Sequence, residues 1–162
     1  MSKLPRLVVF DLDFTLWDCD GTWCDCMSPP FSKLHGEPVD RNGRVVRLYD
    51  DVLSILDLCD QDSMQMALAS RTNQPTWARE LLGLLGITDR FHYEEIYPFR
   101  KLKHFAALQN KSGIDYRDML FFDDEIRNIT EVSTLGGTCI YVEDGTTSDV
   151  LQHGLSMFAK GR

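Results

Sequence analysis

The chain is short of positive charge: 17 Lys and Arg stand against 25 Asp and Glu, a formal net charge of -8 over 162 residues. A polyanion such as nucleic acid would be repelled on average, and no basic cluster offsets this locally. No run approaches the roughly 20 apolar residues that span a bilayer, and the opening MSKLPRL carries no apolar signal segment. These absences predict a cytoplasmic protein with neither nucleic-acid nor membrane partners. They also make the NKS and NIT triplets at Asn110 and Asn128 chance matches to a glycosylation pattern. Internal repeats and low-complexity tracts are absent as well.

Cysteine is odd in number, five, so the thiols cannot all pair within one chain, and reduced thiols are expected. None has an arginine six residues on, where Asp25, Pro30, Ser32, Gln65 and Gly145 stand. A cysteine-dependent tyrosine phosphatase, which needs that arginine to cradle phosphate, is thereby excluded.

What the chain does have is a hydrophobic content of 43% with 26% charged residues, enough for a real core in one domain over residues 1–162. Its organising stretch is LVVFDLDFTLW at residues 7–17, an apolar strand-like run that stops at Asp11, with a second carboxylate at Asp13. Residues two apart on an extended segment share a side, so the two acids can meet in one place.

Residues 18–48 hold Gly21, Pro29, Pro30, Gly36, Pro38 and Gly43 and read as a short flap of loops and a hairpin, with Arg44 to Tyr49 supplying a strand. Asp50 or Asp51 is expected to cap a helix with Val52, Leu53, Ile55, Leu56 and Cys59 at helical spacing. A strand over 64–69 follows and ends in SRTN. The next helix starts at Pro75, carries Trp77, Leu81, Leu84 and Leu85 on one face, and ends near Gly86. Residues 91–97 read as a strand. A helix over 101–112 is predicted with Leu102, Phe105 and Leu108 inward, then a strand over 119–122 that stops at Asp123, Asp124 and Glu125. A helix with Ile129, Val132 and Leu135, a strand over 139–142 and a last helix with Leu151, Leu155 and Phe158 complete the chain.

This alternation predicts an α/β, three-layer Rossmann-like fold. Its central, mostly parallel sheet has about five strands, and it carries a small flap but no large cap domain. Ligands of such sheets sit outside the carboxyl ends of strands. Asp11 and Asp13, Ser70 to Asn73, and Asp123 with Asp124 all fall there.

Carboxylates converging at one rim repel one another unless a cation balances them, and an all-oxygen set suits Mg²⁺. Lys101 and the donors near Ser70 could hold a phosphoryl group beside that metal. Asp11 could then attack phosphorus, with Asp13 protonating the leaving oxygen and later deprotonating water.

DLDFTLW resembles the DxDxT signature of haloacid dehalogenase (HAD) superfamily phosphatases. Ser70, Lys101 and the acidic pair follow in that superfamily's order. LPRLVVFDLDFTLW, ASRT, EIYP followed by a lysine, FFDDE with RNI, and FAK are similar to the magnesium-dependent phosphatase 1 family. The resemblance implies Asp11 as nucleophile and Asp13 as acid/base. It implies Mg²⁺ held by the Asp11 carboxylate, the Asp13 main-chain carbonyl and the acidic pair, where Asp124 is favoured over Asp123 as direct ligand. Phosphate binding by Ser70, Arg71, the Leu12 backbone and Lys101 is implied too. So are phosphomonoester substrates, among them phosphotyrosine in peptide or protein and sugar phosphates such as fructosamine phosphates. A monomer is expected.

Blander readings stand beside these. Thr15 can hold the turn, and Asp123, Asp124 and Ser70 can cap helices. Arg71 can be a solvated charge, and Arg100 and Lys103 rival Lys101. A receiver-like signalling module also uses acids and a lysine on a parallel sheet, but there the lysine comes last. Cys19, Cys24 and Cys26 could suggest zinc or a redox switch, yet lack a nearby fourth ligand. Trp17, Trp23 and Phe31 fit either a substrate rim or flap packing. The stretch 18–27 is one place longer than the family pattern, which bears on substrate preference.

Overall fold

The computed structural model describes residues 3–161. Five strands form one sheet: β1 (Leu7–Phe10), β6 (Gln65–Ser70), β7 (Tyr93–Ile96), β8 (Met119–Asp123) and β9 (Thr138–Tyr141). Their order is β7-β6-β1-β8-β9, and every adjacent pair is parallel. The helices α1 (Val52–Gln61), α2 (Pro75–Leu84), α3 (Lys101–Ser112), α4 (Ile126–Ser133) and α5 (Ser148–Lys160) cover its two faces.

Alternation along the strands sorts the core into two layers. Val8, Phe10, Met66, Leu68, Leu120 and Phe122 pack with α1, α2 and α5. Leu7, Val9, Ala67, Ala69, Met119 and Phe121 meet Phe105 and Leu108 of α3 and Val132 of α4. Strand order runs outward from β1 through β6 to β7, then returns to β8 on the other side. The switch point is therefore the carboxyl end of β1, the place where an open α/β sheet leaves a crevice.

Between β1 and α1 lies the flap. Its hairpin pairs β3 (Ser32–Leu34) with β4 (Glu37–Val39) through His35 and Gly36. Both turn residues have positive φ, 52° and 81°, as a two-residue hairpin turn requires. A second ribbon pairs β2 (Trp17–Asp18) with β5 (Arg47–Leu48), closing the flap back onto the chain leaving β1.

Several local expectations need correction. Asp51 makes no capping bond to α1; its Oδ2 instead accepts from Ser148 N at 2.8 Å, at the start of α5. Leu53 is exposed while Val52, Ile55, Leu56 and Cys59 are buried, because an apolar arc five residues wide exceeds the face α1 presents to the sheet. In α3 the residues turned inward are Lys101, His104, Phe105 and Leu108, with Leu102 half-buried. The helix is rotated to bring a lysine to the carboxyl ends of β6, β1 and β8.

Candidate active site

The chain leaving β1 is tied down at once. Asp11 N–H donates to Phe122 C=O at 3.0 Å, and the Leu12 carbonyl accepts from the N–H groups of Thr15, Leu16 and Trp17. Phe14 takes a left-handed φ of 62°, which reverses the chain so that its N–H reaches Trp17 C=O at 2.8 Å. This tight turn holds Asp11 and Asp13 on one rim, each 8% exposed. Leu12 is buried, and its N–H has no acceptor among the described residues.

Lys101 is wholly buried between two of the acids. Its Nζ lies 3.0 Å from Asp11 Oδ1 and 3.0 Å from Asp123 Oδ2, and it also donates to Ala69 C=O. Burial works against its charge, but Asp11 and Asp123 outweigh that and hold the ammonium above its ordinary range. The rivals stand elsewhere: Arg100 pairs with Glu131 on the surface, and Lys103 lies over the Phe99 ring.

The acidic pair divides. Asp123 is buried, with Oδ1 accepting from Glu125 N–H at 2.8 Å and Oδ2 from Asn128 Nδ2 at 3.0 Å. Asp124 is half-buried and faces the cleft, 3.4 Å from Thr15 Oγ1. Burial, joined by the charge of Asp123, pushes the Asp124 carboxyl up to about 6 against its hydrogen bond with Asp11. Burial and the Asp123 charge likewise raise Asp11 well above the usual carboxylate range, against the pull of Lys101.

Oxygens of Asp11, Asp123 and Asp124 lie within 4.8 Å of one another. One ammonium cannot neutralise them together with Asp13, so the residues fit a hard divalent cation bound through oxygen.

Asp13 is set differently. Its Oδ1 accepts from Trp17 Nε1 at 2.7 Å and from Cys24 N–H at 2.9 Å, with the Cys19 thiol at 3.7 Å. Burial raises its carboxyl, partly opposed by the Trp17 and Cys24 hydrogen bonds. It is therefore an acid that keeps its proton to higher pH than a solvated aspartic acid.

The far side of the rim comes from the end of β6. Ser70 is buried, with its Oγ accepting from Thr72 N–H at 3.3 Å. Arg71 reaches across to Asn128 Oδ1 at 3.1 Å. The cleft between these groups has a volume of about 210 Å³ and is lined by Asp11, Asp13, Ser70, Arg71, Lys101 and Asp124 together. Leu12, buried beneath the turn, and Asp123, held behind Lys101, are not on its wall.

Trp23, Asp25, Thr72, Glu125, Arg127 and Asn128 also line the cleft; of these the sequence offered Trp23 as a rim residue and Thr72 within the 70–73 segment at a strand end, and assigned no role to Asp25, Glu125, Arg127 or Asn128. For Asn128 the signal was the RNI after the acidic run, masked by its chance NIT triplet. The aromatic rim reduces to Trp23, which is 50% exposed and edge-on to Phe14. Trp17 is core, and Phe31 packs on Trp77. Cys19 and Cys24 are buried against Asp13 while Cys26 is exposed, and all three thiols are free.

Residues 3–161 match the acid phosphatase family. The chain belongs to that family. This phosphatase is 44% identical over 164 residues to magnesium-dependent phosphatase 1 of Homo sapiens, an alignment covering 100% of this chain and 92% of that protein. It is 37% identical over 149 residues to a HAD-like hydrolase superfamily protein of Schizosaccharomyces pombe, covering 84% of each. The fold matches the crystal structure of a HAD-superfamily hydrolase from Ehrlichia chaffeensis with a TM-score of 0.66 and 14% identity, over 99% of this chain and 98% of that one. As a phosphatase it acts on a phosphorylated substrate. Among the described residues, no helix is long and apolar enough to cross a membrane.

Proposed function

We propose that this phosphatase hydrolyses phosphomonoesters in two steps through an aspartyl-phosphate on Asp11, with Mg²⁺ as cofactor. The observation that carries the reading is the single buried ammonium of Lys101, 3.0 Å from both Asp11 and Asp123, beside an Asp13 that burial biases towards its protonated form. Lys101 holds Oδ1 of the Asp11 carboxylate, and Oδ2, with a long 3.4 Å bond from Thr15 Oγ1, is the oxygen we assign to the attack.

In the first step Asp11 bonds to phosphorus and the ester P–O bond breaks, its electron pair going to the leaving oxygen, which takes the proton of Asp13. In the second, Asp13 removes a proton from water as the water oxygen displaces Asp11 and orthophosphate leaves. Ser70 Oγ, the Arg71 guanidinium, the Leu12 N–H and Lys101 would hold the phosphoryl oxygens. Asp11, Asp124 and the Asp13 carbonyl would ligate Mg²⁺, with Asp123 behind them. The bound ion would supply positive charge to offset the phosphoryl oxygens.

The flap is small and the cleft open, which favours bulky leaving groups; phosphotyrosine in peptides or proteins and sugar phosphates, fructosamine phosphates included, are the substrates we assign. The same reading takes the protein to be a cytoplasmic monomer.

Phosphate release from p-nitrophenyl phosphate, with and without Mg²⁺, tests the mechanism. Wild type should turn over only with the metal, and Asp11→Asn should lose at least about a thousandfold in kcat, the scale on which a nucleophile matters. Equal Mg²⁺-dependent turnover by the variant would overturn it.

A further inference from the structure

The two oxygens of Asp13 have different surroundings. Oδ1 accepts from the indole N–H of Trp17 at 2.7 Å and from Cys24 N–H at 2.9 Å, and the Cys19 thiol points at it from 3.7 Å. These donors come from three places: the turn after β1, the loop that follows it, and the 3₁₀ turn at Cys24–Cys26. Trp17, Cys19 and Cys24 are all fully buried. Among the described residues, no N–H or O–H donor reaches Oδ2. Glu131 Oε2 is the one partnerless side-chain oxygen there that is shut off from solvent, so Oδ2 of Asp13, without a donor, is open to solvent. Asp13 lines the cleft, and Oδ2 is the atom it offers.

We propose that Trp17, with the Cys24 N–H and the Cys19 thiol, is a positioning residue that saturates Oδ1 of Asp13 and thereby places the transferable proton on Oδ2, facing the leaving oxygen. A carboxylic acid whose one oxygen already accepts two or three hydrogen bonds has no room for a proton there, so the proton sits on the other. The indole also fixes the carboxyl plane, because its N–H direction is set by a ring wedged in the core. The flap thus acts from behind the acid as well as at the cleft mouth. Cys19 and Cys24 are hydrogen-bonding groups in this role: burial raises both thiols, which disfavours the reactive thiolate.

This inference rests on the reading of Asp13 as general acid, and the experiment separates the two. The readout is the ratio of kcat/KM for p-nitrophenyl phosphate to that for phenyl phosphate. The nitrophenolate leaves with little need of a proton and the phenolate leaves poorly without one. Asp13→Asn should raise the ratio well above wild type; an unchanged ratio there would defeat the parent reading.

Trp17→Phe, which keeps a ring but loses the N–H, should lower both rates yet raise the ratio by about fivefold or more, with KM little altered. A variant that is merely less well folded loses active enzyme equally for both substrates and leaves the ratio where it was. An unchanged ratio in Trp17→Phe, beside a raised one in Asp13→Asn, would overturn the proposal alone. If Trp17→Phe does not fold, the Cys19 pair decides. Cys19→Ala removes a donor and should raise the ratio, while Cys19→Ser keeps one and should restore it towards wild type. Equal ratios in the two would overturn it.

Discussion

Asp123 and Asp124 are neighbours in sequence with different partners. Asp123 Oδ2 is taken by Lys101 and Asn128 and its Oδ1 by Glu125 N–H. Asp124 faces the cleft with a long contact to Thr15. Their substitutions should therefore diverge. Asp124→Asn should raise the Mg²⁺ concentration for half-maximal activity about tenfold or more while leaving metal-free stability unchanged or improved, since one of the crowded charges is gone. Asp123→Asn should cost stability on the order of 3 kcal/mol, because it strips one counter-ion from a buried ammonium. A Mg²⁺ titration of activity and a urea unfolding curve on each variant check this. A stable Asp123→Asn with the larger shift in Mg²⁺ requirement would reverse the assignment. The acids themselves were legible in sequence because two strand-like runs end on them. Which of the pair points where was not legible from the residue pattern, and only the family resemblance favoured Asp124, since consecutive residues at a strand end turn to opposite sides and the position of Lys101 decides between them.

At the scale of elements, α5 shows how closely the layers pack. A Cβ at Gly154 would fall 2.6 Å from Cζ and 2.9 Å from Cε1 of Phe122, and 3.3 Å from Ile140 Cγ1. Phe122 in turn stacks on Phe10 at 5.6 Å, and these two residues precede Asp123 and Asp11. Gly154→Ala should gain about 1 kcal/mol of helix propensity but incur about 1–3 kcal/mol of overpacking, a net loss near 1 kcal/mol. A lower urea midpoint with unchanged slope is the expected result, and a higher one would mean that α5 can move outward freely.

The sequence pattern foretold α3 over 101–112 to the residue and each central strand to within two residues. That is because the apolar runs are bounded by Gly, Pro or acids. It misjudged the phase of α3, since Lys101 and His104 are turned inward by polar partners. Lys101 meets the acids, while His104 Nε2 lies 2.8 Å from Ser70 C=O and 2.9 Å from Tyr97 C=O. Hydrophobic spacing cannot reveal a buried polar contact between segments distant in sequence, such as Lys101 with Asp11 or His104 with Ser70. Of the two candidates for the α1 cap, Asp50 and Asp51, it is Asp51 that stands at the cap position, but its side chain accepts from Ser148 N–H instead, another partner distant in sequence.

Over the whole molecule, two titrations act on stability in opposite senses. His104 is buried, and burial lowers its imidazole, with the Lys101 charge adding and three backbone carbonyls opposing. Below its unfolded value of about 6.5 the unfolded chain binds a proton that the folded one refuses, so stability falls as pH drops through that point. The carboxyls of Asp11 and Asp124 are raised. Between about pH 4 and the folded value, about 6 for Asp124, the folded state keeps protons that the unfolded chain has released, so stability falls as pH rises. A bare melting profile mixes the two slopes.

Subtracting metal-free from Mg²⁺-saturated melts removes His104, which is not among the groups that would hold the ion, and leaves the carboxylates. A cation binds them ionised, so it must displace their protons at low pH and meets free carboxylates at high pH. The increase in Tm at one fixed, saturating Mg²⁺ concentration should therefore grow from about pH 5 to about pH 7.5, as Kd falls. At a hundredfold excess over its Kd, binding stabilises by about 2.7 kcal/mol. Asp124→Asn should shrink the increment and flatten its dependence on pH. An increment that stayed constant with pH, or fell as pH rose, would show that the ion does not compete with protons at Asp11 and Asp124, and that the crowding of acids at the end of β1 is relieved in some other way.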